Sequence, residues 1–317
     1  MDAIARLLRH ETGGDPMREL KWSRRTIRKI ARQLRLLKIR VSATTVRRLL
    51  KQLGFSLRVN HKRLESGNRN PPPRRVRDQQ FSYIHGQRKR FTTRAHPIIS
   101  VDAKKKEWVG KFKNPGACWE KEPQDVNDHD FPSDAKGRAI PYGIYDPRLN
   151  HGFVVLGTSR ETPAFAVEAI VLWWKWCGRK QYPEAKELFI LADSGGGNSA
   201  RAHGWKYHLQ RQLVNPFRLK VTVCHYPPGA SKWNPIEHLL FSQISMNWAG
   251  RPLESYETVL NYIRTTTTAT GLTVSARLLH KKYAKGEEIS KQQMEQLLLN
   301  KHTTLPAWNY TLTPKTM

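Results

Sequence analysis

Apolar residues recur along this chain at two different periods, and the switch between them divides it. From Ser23 to Phe55 they fall three or four apart, at Ile27, Ile30, Ala31, Leu34 and Leu37 and again at Val46, Leu49, Leu50 and Leu53. Arg24, Arg25, Arg28, Lys29, Arg32 and Arg35 take most of the places between. That spacing puts an apolar stripe on each of two short helices. Ser23 and Ser42 suit N-caps, and Gly54 suits the stop after the second helix. Two such helices joined by a tight turn make a helix-turn-helix, so residues 21–60 are predicted to be an all-α domain. The run Asn68-Arg-Asn-Pro-Pro-Pro-Arg-Arg75 forbids helix and favours an extended path. Residues 61–95 therefore read as a basic, proline-containing linker, closed by a helix whose Phe81, Tyr83 and Ile84 brace the next domain.

From His96 onward strand and helix patterns alternate. Strands are predicted at 97–103, 139–145, 152–158, 187–192 and 220–225, and helices at 163–176, 200–213 and 235–248. Three strands, helix, strand, helix, strand, helix is the ribonuclease-H-like order. Residues 96–250 are accordingly predicted to be an α/β domain on a mixed five-stranded sheet flanked by helices, with a polar loop-like insertion at 110–136. Residues 251–317 read as a helical extension, with segments around 254–270, 274–283 and 290–301.

Charge changes this picture by naming a partner. The 317 residues include 55 Lys and Arg against 26 Asp and Glu, a net charge of +29, of which +20 lies in residues 1–97. A field of that sign favours a polyanion, and nucleic acid is the default one. On the second helix of the pair, Thr44, Thr45, Arg47, Arg48 and Lys51 are the candidates for base and groove contacts, while Arg74 and Arg75 in the linker suit phosphates. A plain helical hairpin with solvated charges fits the same spacing; the excess of positive charge favours double-stranded DNA. No apolar run approaches the roughly 20 residues of a membrane span, and no charged-then-apolar leader opens the chain, which places it in the cytoplasm, at the nucleoid. Cys118, Cys177 and Cys224 lie far apart without a CxxC pair, which suggests free thiols rather than a zinc site or a disulfide framework.

Three acids stand where apolar runs stop: Asp102 in Ile98-Ile-Ser-Val-Asp102, Asp193 in Leu188-Phe-Ile-Leu-Ala-Asp193, and Glu237 in Trp233-Asn-Pro-Ile-Glu237. Ligands of open α/β sheets gather beyond strand carboxyl ends, which favours Asp193, and Asn234 and Pro235 suit the start of the helix that carries Glu237. Hard oxygen ligands with no Cys or His in the same motifs suit Mg²⁺ or Mn²⁺. Each acid also has a plainer use: Asp102 paired with Lys104, Lys105 or Lys106, Asp193 opening the Ser194-Gly-Gly-Gly turn, Glu237 meeting a helix dipole. Their order, beside a DNA-binding front, favours convergence. Gly195, Gly196 and Gly197 lack a following Gly-Lys-Ser/Thr, so they are read as room for a DNA backbone rather than as a P-loop. Lys104, Lys105, Lys106 and Lys232 are read as phosphate contacts. Trp173, Trp174 and Trp176 are read as packing, with base stacking the lesser option. His225 is either packed or near the site, and His203 and His208 are taken as surface residues.

At these residues the chain resembles the DDE transposases of bacterial insertion sequences, most closely the ISAzo-type group related to mariner-like elements. The matching stretches are Leu49-Leu-Lys-Gln-Leu-Gly-Phe-Ser-Leu57, Ile99-Ser-Val-Asp-Ala-Lys-Lys-Lys-Glu107, Gly110-Lys-Phe-Lys-Asn-Pro-Gly116, Ala192-Asp-Ser-Gly-Gly-Gly-Asn198 and Pro227-Pro-Gly-Ala-Ser-Lys-Trp-Asn-Pro-Ile-Glu-His238. The resemblance implies a catalytic triad of Asp102, Asp193 and Glu237, here 91 and 44 residues apart, holding two divalent ions. It implies binding to the terminal inverted repeats of an element, DNA cleavage and strand transfer, and a homodimer that pairs two ends. It also implies a longer helical region at the front, of which residues 1–20 would be a remnant. Two other functions fit: a nuclease of the same fold that cuts without joining, and a DNA-binding regulator without catalysis.

Overall fold

The computed structural model describes residues 3–4, 13–15, 20–22, 26–54, 71–118, 122, 124–127, 132–230 and 233–315. The chain forms two compact units, Met1–Arg63 and Leu64–Met317. In the first, strands β1 (Gly13–Asp15) and β2 (Leu20–Trp22) pair antiparallel, so this part of residues 1–20 is extended rather than helical. Helices α1 (Ile27–Leu36) and α2 (Ala43–Gln52) follow, and Ile30, Ala31, Leu34 and Val46 share a small core with Ile4. Ser42 caps α2 as its sequence suggests, through Thr45 N at 3.1 Å. Thr26, not Ser23, caps α1, because the helix begins only at Ile27; Ser23 itself lies outside the described residues.

In the second unit α3 (Arg74–Thr93) leads to β3 (Ile98–Ala103), β4 (Glu107–Val109), β5 (Gly137–Asp146) and β6 (His151–Gly157). Then come α4 (Pro163–Trp173), β7 (Glu187–Ala192), α5 (His203–His208) and β8 (Lys220–His225). The helix that carries Glu237 opens with a π-helical turn, Glu237–Phe241, and continues as α6 (Ser242–Asn247). The chain closes with α7 (Tyr256–Arg264), β9 (Thr273–Leu279), α8 (Lys291–Glu295), β10 (Leu299–Lys301) and β11 (Asn309–Leu312).

The strands make one mixed sheet of order β10-β11-β8-β7-β3-β5-β6-β9, with β4 pairing β5 off that path. Its middle, β8-β7-β3-β5-β6, has the predicted ribonuclease-H-like order, with β7 parallel to β3 and to β8, and β5 antiparallel to its neighbours. Among the described residues the sheet has nine strands, not five. The expected C-terminal helix at 274–283 is a correction, and the one expected at 290–301 is helical only over α8 before its end turns to strand: β9 adds parallel to β6, and β10 and β11 form a hairpin beyond β8. Open backbone edges on β6 and β8 decide this, because an unpaired ladder is a stronger demand than the weak local period of the segments that meet it.

Strand alternation distributes the core to both faces. Ile99, Val101, Leu188, Ile190, Val221 and Val223 meet α4 and α5 on one side. On the other, Phe189, Leu191 and Cys224 meet Ile84 and Phe91 of α3, while Val154 and Leu156 meet Ile236, Leu240 and Ile244 of the Glu237 helix. That helix comes down close because two strand positions lack a side chain. A Cβ on Gly143 would stand 2.6 Å from Phe241, and one on Gly152 would stand 2.4 Å from Leu240. Gly143→Ala is therefore expected to cost about 1–3 kcal/mol in urea unfolding by overpacking. Gly86→Ala on the exposed flank of α3, where a Cβ meets nothing, should stabilise by about 0.5–1 kcal/mol.

Candidate active site

Asp102 and Asp193 approach each other because of register. Val101 of β3 is level with Ala192 of the parallel β7, so the two aspartates occupy the next step of neighbouring chains, where strands run about 5 Å apart. Asp102 is buried at 7% exposure on the face of the sheet that Ser100 also occupies. Ala103 N donates to its Oδ1 at 2.8 Å and Asn234 Nδ2 to its Oδ2 at 3.3 Å. Glu237, one turn beyond Asn234, lies close enough for its charge to act on Asp102. Asn234 was expected to cap the helix; its side chain instead spans Asp102 and the hydroxyl of Ser100, which donates to its Oδ1.

Asp193 accepts from Asn198 Nδ2 at 3.4 Å and from the backbone of Gly195. Asn198 is fixed in turn by the fully buried Tyr142, whose hydroxyl donates to Oδ1 at 2.5 Å. A fourth carboxylate, Glu161, stands against the same loop, accepting from Gly197 N at 3.2 Å and pairing with Lys106 at 3.2 Å. A Cβ on Gly196 would lie 2.2 Å from Glu161 Oε1, and one on Gly197 would lie 3.0 Å from the Thr162 carbonyl. The glycine run thus makes room for the protein's own Glu161 and Thr162.

Crowded, buried acids resist ionisation. Burial first, then the charges of Asp193 and Glu237, hold the Asp102 carboxyl well above the usual carboxylate range. Burial also pushes Asp193 up to about 6, against the hydrogen bonds of Asn198 and Gly195 and with the charges of Glu161 and Glu237 adding to it. The set fits a hard divalent cation: oxygen donors alone, and an excess of facing negative charge. Among the described residues no three such groups already close into a metal-ligating cluster.

The other sequence candidates fall variously. Lys104 was read as a phosphate contact but is buried, bonded to Glu107 Oε1 at 2.9 Å and seated 4.6 Å over the Trp248 ring. Lys105 is exposed, Lys106 serves Glu161, and Lys232 lies outside the described residues. Thr44, Arg47, Arg48 and Lys51 are exposed on α2, whereas Thr45 is turned to the Ser42 cap. Arg74 and Arg75 are exposed in the first turn of α3. Trp173 and Trp174 are buried and Trp176 is exposed. His208, taken for a surface residue, is buried and bonded to Glu287 at 2.7 Å.

His225 is wholly buried and tied to the site. Its Nδ1 donates to the Asp193 carbonyl at 2.8 Å, and Tyr310, which accepts from Trp205 Nε1, donates to its Nε2 at 3.1 Å. Burial pushes its pKa down to about 4, so the ring is neutral at pH 7. In the sequence Glu161, Asn198 and Tyr142 carry no site role and Asn234 reads only as a helix cap; Asn198 and Asn234 do lie inside the two most specific motifs, five and three residues from an acid.

The family model described as the Rhodopirellula transposase DDE domain matches residues 3–314, and the chain belongs to that family. No curated protein matches the sequence. Similar solved structures include the Mos1 transposase paired-end complex with left transposon end, at 16% identity and a TM-score of 0.44, covering 75% of this chain and 65% of that one. The Mos1 strand transfer complex is similar at 15% identity and a TM-score of 0.44, over 75% and 64%. The mariner Mos1 paired-end complex with Mg follows at 14% and 0.43, over 75% and 65%. The chain therefore spans just under two thirds of the length of these proteins. No helix among the described residues is long and apolar enough to cross a membrane.

A raised carboxyl pKa has a definite sign in stability. The folded chain keeps a proton on Asp193 between about pH 4 and 6 that the unfolded chain has released, so its contribution falls as pH rises through 6. Asp193→Asn should accordingly raise unfolding stability by about 1–3 kcal/mol at pH 7.5, with the gain vanishing towards pH 4, as read by urea titration at both pH values.

Proposed function

We propose that this chain is a transposase that binds the terminal inverted repeats of its element and cuts and joins DNA by divalent-metal-dependent phosphoryl transfer. What supports this reading is the strand register that sets Asp102 beside Asp193, with the charge of Glu237 acting on both, in a chain of the DDE family. Two Mg²⁺ or Mn²⁺ ions held there would supply Lewis-acid stabilisation and an activated oxygen nucleophile for in-line displacement. The residues of the chain do the remainder. Asp102, Asp193 and Glu237 would hold the ions. Asn234 orients Asp102, Asn198 orients Asp193, and His225 fixes the backbone that carries Asp193.

Sequence recognition is assigned to the first unit, where Thr44, Arg47, Arg48 and Lys51 project from α2 as a helix-turn-helix would present them to the major groove. Arg74, Arg75 and Lys105 suit phosphates. Pairing of two transposon ends calls for a homodimer, working at the bacterial nucleoid.

The test uses DNA bearing the element's ends. Asp102→Asn, Asp193→Asn and Glu237→Gln should bind it like wild type and lose cleavage at least about a hundredfold, while Asn198→Ala and Asn234→Ala should raise the Mg²⁺ requirement by about 10–100-fold. Cleavage surviving in Asp193→Asn would remove that residue from the site. Cutting without joining would leave a nuclease, and binding indifferent to Mg²⁺ with no cutting would leave a regulator.

A further inference from the structure

At the β9 edge of the sheet, three strands and roughly 14 Å from β3, lies an open cavity of about 770 Å³. Its lining includes Trp176, Cys177, Glu257, Arg264, Arg277 and His280. Trp176 is 47% exposed, an unusual state for the largest apolar side chain, and the Arg277 guanidinium lies 3.2 Å over its ring. Arg264 is anchored beside it, Nε donating to the Ala276 carbonyl at 3.1 Å. Lys175, Arg179 and Lys180 are exposed around the neighbouring turn, and Cys177 feels the charges of both Lys180 and Arg277. Among the described residues of the lining, Glu257 is the only acid. None of the carboxylates of the candidate active site belongs to this groove.

A flat aromatic face, a guanidinium stacked on it and further cations alongside make a surface suited to phosphate next to a base. Arg combines planar stacking with donors that match phosphate oxygens. The net charge of the chain supplies the complementarity to a polyanion.

We propose that this groove is a second DNA contact, separate from the carboxylate site, in which Arg264 and Arg277 take backbone phosphate and the Arg277–Trp176 stack takes an adjoining base. The inference rests on the reading of the protein as DNA-binding. It adds a place where a segment away from the reacting bond is held.

The experiment compares the full chain with Arg264→Ala/Arg277→Ala, Trp176→Ala and Arg277→Lys. Fluorescence anisotropy with labelled single- and double-stranded DNA of arbitrary sequence is followed across a salt series. The double variant should bind three- to tenfold more weakly and lose about one to two from the slope of log affinity against log salt. Trp176→Ala should weaken binding with the slope kept, and Arg277→Lys, charged but not flat, should fall between. Ultraviolet cross-linking should place wild-type DNA on the peptide that holds Trp176. Thermal melting and circular dichroism establish that each variant is folded. If wild type binds no DNA, the functional reading itself fails. If it binds while folded variants keep its affinity, slope and cross-link, the groove is not a DNA contact and that reading stands. Unchanged DNA binding with lost self-association in sedimentation would give the groove to a second copy of the chain and overturn the proposal.

Discussion

A carboxylate removed from water must be answered by hydrogen bonds or by positive charge, and this chain sets two of them side by side at the ends of parallel strands. The answer it gives is incomplete. Ala103, Asn234, Asn198 and Gly195 donate to Asp102 and Asp193, yet both stay harder to ionise than in water. The nearest lysines in sequence are engaged elsewhere, Lys104 with Glu107 and Lys106 with Glu161. Held this way, the site stores unfavourable electrostatics, and the cores on both faces of the sheet keep it from relaxing. Gly143 and Gly152 belong to the same constraint, since they let the helix of Glu237 sit close enough for its charge to act on Asp102.

Around the acids lies a polar shell that draws on distant parts of the chain. Tyr142 in β5 steadies Asn198 after β7, and His225 at the end of β8 holds the Asp193 carbonyl. His225 is satisfied only because Tyr310 in β11 donates to it, and Gln80 of α3 bonds both the His225 carbonyl and Asn309. The last strands are thus part of the structure that positions Asp193. A buried histidine with an unmade bond would cost about 1–3 kcal/mol, and β11 removes that cost.

The middle of the sheet was legible because its strands are continuous apolar runs ended by an acid or by turn residues, the mark of strands covered on both faces. Its edges were not. Thr273–Leu279 is only partly buried and has no clear alternation, so its strand state comes from the open side of β6 rather than from its own period. The three acids could be named from motifs, but Glu161 stands alone before a helix cap and acquires meaning only when the turn at Gly196 and Gly197 folds against it. Lys104 shows the opposite error. Within the run Lys104, Lys105 and Lys106, charge looks uniform, whereas Lys104 is buried against Glu107 and Trp248 and Lys105 lies in solvent.

The division of charge between the parts of this chain follows from the same physics. Most of the net positive charge, +20 of +29, lies in residues 1–97, while Asp102, Asp193, Glu237 and Glu161 belong to the sheet domain. On the proposed reading a cationic field would draw DNA to the protein at long range, but within a few ångströms the negative charge among the acids would repel a phosphate. Affinity for DNA and access of a phosphate to the acids are therefore separate quantities. Only charge placed among the carboxylates themselves reverses that local repulsion, and Lys104 and Lys106 are engaged with Glu107 and Glu161. In the proposed reaction, the divalent cation that completes the site is also what admits its substrate. Under that proposal, the coupling would let a strongly basic protein bind DNA without acting on it wherever it lands.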